Sequence, residues 1–564
     1  MIFATRDEVK RAIQSHAIAE RRSVAFTKID KRRLYARCKE PNCECKINAM
    51  KVKDDTAFQV SLLHPKHSES SLPSLNVANV KTSWLSETFA HKFKCDPKRE
   101  VRGFRKEIMR ELNVSVSKDQ AYRAKRRALE RISGDLVYQY SRLWDYAHEL
   151  RKSNPGTTIV LDVETDDEES IFDRIYVCYG ALKKGFSVGC RAIIGVDGCH
   201  LKGIYAGVLL TAVGIDPNNN LFPIAFAVVS RENGETWRWF LTLLKKDLRI
   251  GGDKQVTFMS DKQKGLIQAF DVVFPGYYHI FCVRHMHNNF FNAGFRGTAL
   301  KNTVWRAALP STPGEFRRRM DELKDLDSEA HKWFGDKPVA QWSRSHFKVY
   351  SKCDILLNNV CERFNSAILD AREQPILSML ESIRQYLMKM LQTNRDMAAC
   401  KWKNLRFCPN ALKLLEGNVR RVSDCIPIKS DNTHYEISCF DGSQHAINLR
   451  ERTCTCRQWQ LSGIPCKHAI SAISNQREEI QDYIDEYYSV ETYIKVYAPA
   501  IMAVTSDLFW EVTGFNPPEP PTEMRSVGRP TSSRRRERDE PVRKTKKKAR
   551  TLMLKKNQMT VRCR

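Results

Sequence analysis

The sequence predicts an α/β protein of several domains, and three observations carry that reading. The chain has 564 residues, more than one hydrophobic core ordinarily organises. Its apolar pattern changes along the chain: helical spacing before residue 155, strand-like runs from 190, helical again over 375–420, strand-like near 433–475. Cysteine and histidine occur as tight groups toward both ends, at spacings suited to structural metal sites.

Residues 1–70 read as a small α+β unit. Val9, Ile13 and Ala17 recur at helical spacing within Arg6–Ala19, and strand-like pieces follow at Ser23–Lys28, Leu34–Cys38, Cys45–Lys51 and Phe58–Leu63. A Ser/Pro-containing link at Ser68–Ser74 ends the unit. Residues 80–155 read as helical, with basic faces such as Tyr122-Arg-Ala-Lys-Arg-Arg-Ala-Leu-Glu-Arg131, and Asn154-Pro155-Gly156 stops them.

The core is expected over 190–390. Arg191–Asp197, Ala206–Gly214 and Phe222–Val229 are apolar strands, with the turn cluster Asp216-Pro-Asn-Asn-Asn220 between the second and third. A helix over Thr236–Leu248 presents Trp237, Phe240 and Leu244 on one face; strand Val256–Ser260, helix Lys262–Val272 and strand Tyr278–Cys282 follow. Three antiparallel strands, a helix, then strand–helix–strand is the order of an RNase H-like core. Residues from about 286 to 350 are too many for a simple connection and read as a helical insertion in it. Residues 433–475 read as a β-rich, cysteine-containing unit. Residues 515–564 read as a Pro-rich linker, Asn516-Pro-Pro-Glu-Pro-Pro-Thr522, leading to a basic disordered tail.

The formal net charge is +27, and a net +13 of it lies between Arg525 and Arg564. A surplus of this size, spread over body and tail, favours a polyanionic partner, nucleic acid first. The tail itself suits a solubilising or nuclear-import segment or direct DNA contact, and these can coexist. No run of 18 apolar residues occurs, so no membrane span is expected. The first residues, Met-Ile-Phe-Ala-Thr-Arg-Asp-Glu, lack a signal-peptide apolar run, and the 18 cysteines are then expected as thiols and metal ligands.

Three carboxylates stand where a nucleic-acid-cutting centre needs them. Asp197 and Asp261 each close a strand, and Glu362 lies in the helical stretch Val360–Leu369. Two strand ends and one helix can gather three carboxylates around a pair of divalent ions roughly 3.5–4 Å apart, the arrangement for phosphoryl transfer. All-oxygen ligands suit Mg2+ or Mn2+. Cys454-Thr-Cys456 followed by Cys466-Lys-His468 offers three thiolates and one imidazole, a closed structural Zn2+ site. Cys38, Cys43, His64 and His67 form a weaker second candidate, with Cys45 as a spare thiol. Cys282-Val-Arg-His285 has too few ligands for zinc; it is a buried cysteine with a helix-start histidine, or it supports the acidic centre.

These residues resemble the plant Mutator-like (MuDR) transposases. The resemblance runs through Asp197-Gly-Cys-His-Leu-Lys202, Asp216–Val229, Trp237-Arg-Trp-Phe240, Ser260-Asp-Lys-Gln-Lys-Gly265, Cys282-Val-Arg-His285 and Asn359-Val-Cys-Glu-Arg-Phe-Asn365 to Ala371-Arg-Glu-Gln-Pro-Ile376. The array Cys454/Cys456/Cys466/His468, with Trp459 and Gly463-Ile-Pro465, is similar to the family's SWIM zinc finger. The N-terminal unit is similar to its zinc-containing DNA-binding domain of WRKY and GCM type. The resemblance implies a DDE triad of Asp197, Asp261 and Glu362 on the RNase H-like fold, with Cys282 and His285 as the family's C-x-x-H motif. It departs at Cys199, where the family usually has Thr, and at Cys45, where it has Trp. Its final H-x-C becomes His67-Ser-Glu69, leaving His64 or Cys45 to complete the site. Gly528-Arg-Pro530 is present, but the zinc knuckle expected after it is truncated at Cys563-Arg564.

The implied function is a DNA transposase acting in the nucleus. It would bind terminal inverted repeats in double-stranded DNA, cleave strands, and transfer the freed 3′-hydroxyl to target DNA. Self-association is expected, because two element ends must be brought together. The alternatives are a domesticated, transposase-derived transcription regulator that binds DNA without transposing, and an inactive relic.

Overall fold

The computed structural model describes residues 1–521 apart from 31, 53–55, 70, 96–98, 133–135, 167–168, 203–206 and 253–254. The basic tail, Gly528-Arg-Pro530, Cys563, Thr522 and Ala206 at the start of an expected strand lie outside the described residues.

The N-terminal unit is a five-stranded antiparallel sheet covered by one helix. Strands β1 (Ile2–Phe3), β2 (Val24–Ile29), β3 (Arg33–Cys38), β4 (Lys46–Lys51) and β5 (Phe58–His64) lie in the order β1-β5-β4-β3-β2. The helix Arg6–Ala19 starts where the Thr5 hydroxyl accepts from the Glu8 N–H. Its Val9, Ile13 and Ala17 stripe packs on Leu34, Ala36, Ala49 and Phe58 of the sheet. Helices Thr82–Thr88, Ala90–Cys95, Val101–Leu112 and Lys118–Ile132 form a second small core. There Phe104 meets Phe89 and Phe93 edge to face at centroid distances of 5.3 and 4.8 Å.

The central sheet has seven strands: β6 (Thr158–Asp166), β7 (Glu169–Cys178), β8 (Ile193–His200), β9 (Val208–Ile215), β10 (Leu221–Val229), β11 (Thr257–Ser260) and β12 (Tyr278–Phe281). Their order is β12-β11-β8-β9-β10-β7-β6. The run from β8 through β9, β10 and β7 to β6 is antiparallel, whereas β11 pairs parallel to β8 and β12 parallel to β11. β9 and β10 are buried almost throughout, so they read as continuous apolar runs rather than alternating ones. Asp216 closes the β9–β10 turn by accepting from the N–H groups of Asn218 and Asn220. Helices Val283–Asn292, Thr298–Ala308, Pro313–Leu326 and Ser328–Trp333 lie between β12 and the helix Asn359–Ala367.

The C-terminal sheet is a meander of β13 (Cys425–Lys429), β14 (His434–Cys439), β15 (Gln444–Asn448) and β16 (Thr453–Cys454), with helix Lys467–Gln476 packed on it. The chain then returns to the central sheet. Helix Val490–Tyr497 lies so close to helix Gly180–Gly189 that a Cβ on Gly185 would sit 2.5 Å from the Val496 carbonyl oxygen. Tyr497 donates to the buried Asp216 carboxylate at 2.8 Å, and Glu519 bridges to Ile171.

Candidate active site and metal centres

Strand register brings the two aspartates level. β11 lies beside β8 with Met259 opposite Gly195, so two residues further on Asp261 stands beside Asp197. Neighbouring strands are about 4.8 Å apart, which puts the two backbones in adjacent positions. The helix Asn359–Ala367 delivers Glu362 to the same end. It can do so because Gly195 has no side chain: a Cβ there would meet Asn358 Oδ1 at 2.5 Å and Cys361 Sγ at 2.9 Å. Asn358 Nδ2 donates to the Val196 carbonyl at 3.0 Å, and Asn365 Nδ2 donates to Asp197 Oδ2 at 2.8 Å. The helix is thus pinned to β8 on both sides of Glu362. Glu362 itself is held by Arg284, whose Nη1 donates to Oε2 at 2.6 Å. Asp261 and Glu362 both act on Asp197 electrostatically, but the oxygens of the three are not all within 4.8 Å of each other, as the cysteine–histidine groups are.

Burial, then the neighbouring Asp261, raise Asp197 to a pKa of about 7. His285 works in the opposite sense. The Cys282 sulfur beside it, with Asp261 and Asp197 behind, holds its imidazolium up to about 9. Burial alone would raise Cys282, yet hydrogen bonds from His285 and the Asn358 N–H bring it below the usual thiol value. The C-x-x-H pair therefore places a cation against the acidic centre.

A fourth carboxylate, Glu232, joins this end of β8, outside the set expected from the sequence. Gly198 follows Asp197 and points to the other face of β8. A Cβ on it would lie 2.7 Å from Glu232 Oε1. The buried Trp237 indole N–H donates to Glu232 at 3.2 Å and to Gln263 at 2.9 Å. Burial, opposed by the Trp237 bond and assisted by Asp261, raises the Glu232 pKa. An acidic residue on the loop after β10 carries no local signal; its role comes from the tertiary approach to Gly198.

The C-terminal group is tighter. Cys454, Cys456, Cys466 and His468 are all buried, with ligand atoms mutually within 4.8 Å. His468 Nδ1 is 3.6 Å from Cys454 Sγ and 3.9 Å from Cys466 Sγ, and the His445 ring stacks on His468 at 3.9 Å. Hydrogen bonds from Cys454 and Cys456 hold Cys466 down as a thiolate, while the same crowding pushes Cys454 up. Three cysteine sulfurs and one imidazole this close have the donor set and spacing of tetrahedral Zn2+, which when bound would hold all three as thiolates.

Comparison with protein families finds three matches. The MULE transposase domain matches residues 193–289, the MuDR family transposase model residues 1–60, and the SWIM zinc finger residues 435–476. Together the three matches support a Mutator-like transposase. No curated protein matches the chain. The transposase-domain match includes Asp197, Asp261, Cys282 and His285 and stops before Glu362.

The segment that matches the SWIM zinc finger is tied to the helices that follow β12. Arg457 adopts a left-handed conformation (φ 61°) directly after Cys456. Its guanidinium donates to the carbonyls of Ser311 (3.1 Å), Ser345 and Phe347 (2.9 Å), and the Ser311 hydroxyl returns a bond to the Cys456 carbonyl at 2.7 Å.

The N-terminal group is smaller than the expected set of four. Cys38, Cys43 and His67 lie together, with His67 Nδ1 3.2 Å from Cys43 Sγ, and the Ser71 hydroxyl is 3.5 Å from Cys38 Sγ. His64 does not join them: it is exposed at the end of β5, paired in register with Lys46. Pro65 and Lys66 carry the chain past it, and His67 is the residue that turns back. Cys45 is buried nearby, and burial with the Cys43 and Cys38 sulfurs raises it to about 11.

Proposed function

We propose that this chain is a DNA transposase of the Mutator-like type, which binds terminal inverted repeats, cleaves DNA strands and joins the freed 3′-hydroxyls to target DNA. The observation that carries the reading is the meeting of Asp197 and Asp261 on adjacent parallel strands, with the Glu362 helix pinned to one of them. The order β10-β9-β8-β11-β12, three antiparallel strands followed by two parallel to the first, supports an RNase H-like core that β7 and β6 extend.

Asp197, Asp261 and Glu362 would hold Mg2+ or Mn2+, which when bound activates the attacking oxygen and steadies the leaving oxygen of a phosphodiester. The protein's own groups prepare that site. Asn365 fixes Oδ2 of Asp197, sets the plane of the carboxylate and leaves Oδ1 for a ligand. Arg284 holds Glu362 at the rim. The His285 imidazolium offsets part of the charge of the aspartates. Glu232, backed by Trp237, limits movement at the end of β8. A nuclear site of action and the pairing of two copies across two element ends belong to the same reading.

The test is strand cleavage of an end-labelled duplex carrying the terminal repeats, with Mg2+ or Mn2+. Wild type is expected to nick at the repeat end. Asp261→Asn is expected to bind the duplex as wild type does and not to nick; a variant that still nicks sinks the assignment. Specific binding by a wild type that nicks with neither metal would replace the transposase with a DNA-binding regulator.

A further inference from the structure

Resting on the reading that the chain acts on DNA, we propose that helix Lys118–Ile132 and the hollow at its start form a second duplex-binding surface, separate from the unit matched at residues 1–60. The helix Val101–Leu112 ends at Asn113 in the left-handed conformation (φ 53°), a short turn buries Val114 and Val116, and the next helix starts at Lys118. The buried stripe of that helix is Ala121, Ala124 and Ala128, which lets it lie close against its neighbours and commits the other face to solvent. The solvent face carries Tyr122, Arg123, Arg126 and Arg127.

At the helix start is a hollow of about 420 Å³ between it and helix Thr82–Thr88. Lys81, Arg123 and Arg127 line it together with the hydroxyls of Thr82, Ser83 and Ser117, and no lining residue is acidic. Gln120 fixes its floor by donating to the Val80 carbonyl, and the Ser117 hydroxyl accepts from the Gln120 N–H at 3.0 Å. Among the described residues none of the three cations has an ion-pair partner. Arg123 and Arg127 are one helical turn apart, where like charges repel unless an anion lies between them. Three cations with no ion-pair partner among the described residues, and three hydroxyls, around an open hollow suit a phosphodiester. The 15-residue helix beside it, about 22 Å long, has the dimensions of an element that enters the major groove.

The experiment measures binding of the full chain to a 30-base-pair fluorescent duplex across roughly 50–200 mM salt. Arg123→Gln/Arg127→Gln is expected to weaken binding about tenfold and to reduce the slope of log K against log salt by about 1.8, near 0.9 per phosphate lost. Arg123→Lys/Arg127→Lys is expected to keep the slope. Lys332→Gln/Arg420→Gln removes the same charge from other exposed surfaces and is expected to change neither. Equal losses in the two glutamine variants would reduce the effect to net charge and overturn the proposal. So would a wild-type slope in Arg123→Gln/Arg127→Gln, or inorganic phosphate displacing the duplex at constant ionic strength, which would mark a free-phosphate site. A photocrosslinker placed at Tyr122 is expected to label the duplex whether or not the double variant folds, and no label would count against the proposal. A wild type that binds no duplex would overturn the transposase reading as well. A wild type that binds and nicks, beside a variant that binds equally, would remove only the second surface.

Discussion

Gly195→Ala is the sharpest perturbation of the acidic centre that leaves every charged group in place. The new methyl would meet Asn358 Oδ1 at 2.5 Å, Cys361 Sγ at 2.9 Å and Val360 Cγ2 at 3.2 Å. Asn358 and Cys361 are 2% and 0% exposed, so neither can swing aside. Overpacking of this kind costs about 1–3 kcal/mol. Displacing Asn358 also endangers its bond to the Val196 carbonyl, worth about 1 kcal/mol. The helix relieves the clash by moving out by nearly 1 Å, toward the ~3.4 Å of an ordinary contact, and it carries Glu362 away from β8. Misplacement of about 1 Å at a reacting centre costs about a hundredfold in rate. The variant is therefore expected to melt roughly 3–5 °C lower and to nick about a hundredfold more slowly, with duplex binding retained. Gly103→Ala is the control. Nothing lies within 4 Å of its new Cβ, and alanine in the helix Val101–Leu112 gains about 0.5–1 kcal/mol over glycine. A Gly195→Ala protein that melts within a degree of wild type and nicks at its rate would refute the packing account of how Glu362 is positioned.

Arg457→Ala removes a guanidinium from three carbonyls and is expected to cost about 3 kcal/mol, with limited proteolysis opening the chain between 298 and 347; unchanged digestion there would show that the SWIM finger does not brace those helices. Cys466→Ser is expected to lower the zinc content by one ion per chain in elemental analysis and to give the same new cleavage products, because Arg457 follows directly on Cys456, a candidate ligand of the same group. Asp197 has its folded pKa raised from 3.8 to about 7, so its contribution favours the folded state at low pH and is lost as pH rises toward 7. In metal-free protein this amounts to at most about 4 kcal/mol, and Asp197→Asn is expected to flatten the fall of melting temperature between pH 4 and 7; an unchanged slope would assign that titration elsewhere, Asp216 at about 6 being the next group. Glu232→Gln is expected to slow nicking roughly tenfold to a hundredfold without weakening DNA binding, and wild-type nicking would remove Glu232 from the centre.

Local signals were strong where one residue type has one physical use. The Val9/Ile13/Ala17 period matches the helix Arg6–Ala19 at both ends. The apolar runs that became β8, β9 and β10 and the Asp216 turn were legible because buried strands need continuous apolar sequence and a turn needs residues that bond their own backbone. Between residues 156 and 189, outside the elements expected from the sequence, the structure has paired strands β6 and β7 and helix Gly180–Gly189. Leu161, Val163 and Thr165 alternate there with Asp162, Glu164 and Asp166, a period-two strand signal that the sequence does carry.

The sequence by itself determined which elements form, the three carboxylates and the C-x-C and C-x-H pairs, because propensity, periodicity and ligand spacing act within a few residues. The tertiary structure alone decided that β11 pairs parallel to β8, which sets Asp261 beside Asp197. It also decided that Gly195 admits the Glu362 helix, that Asn365, Arg284 and Glu232 surround the acids, and that His67 and not His64 joins Cys38 and Cys43. Each of these depends on contacts between segments distant in sequence or on the path the chain takes after a strand, and neither leaves a periodic trace in the sequence.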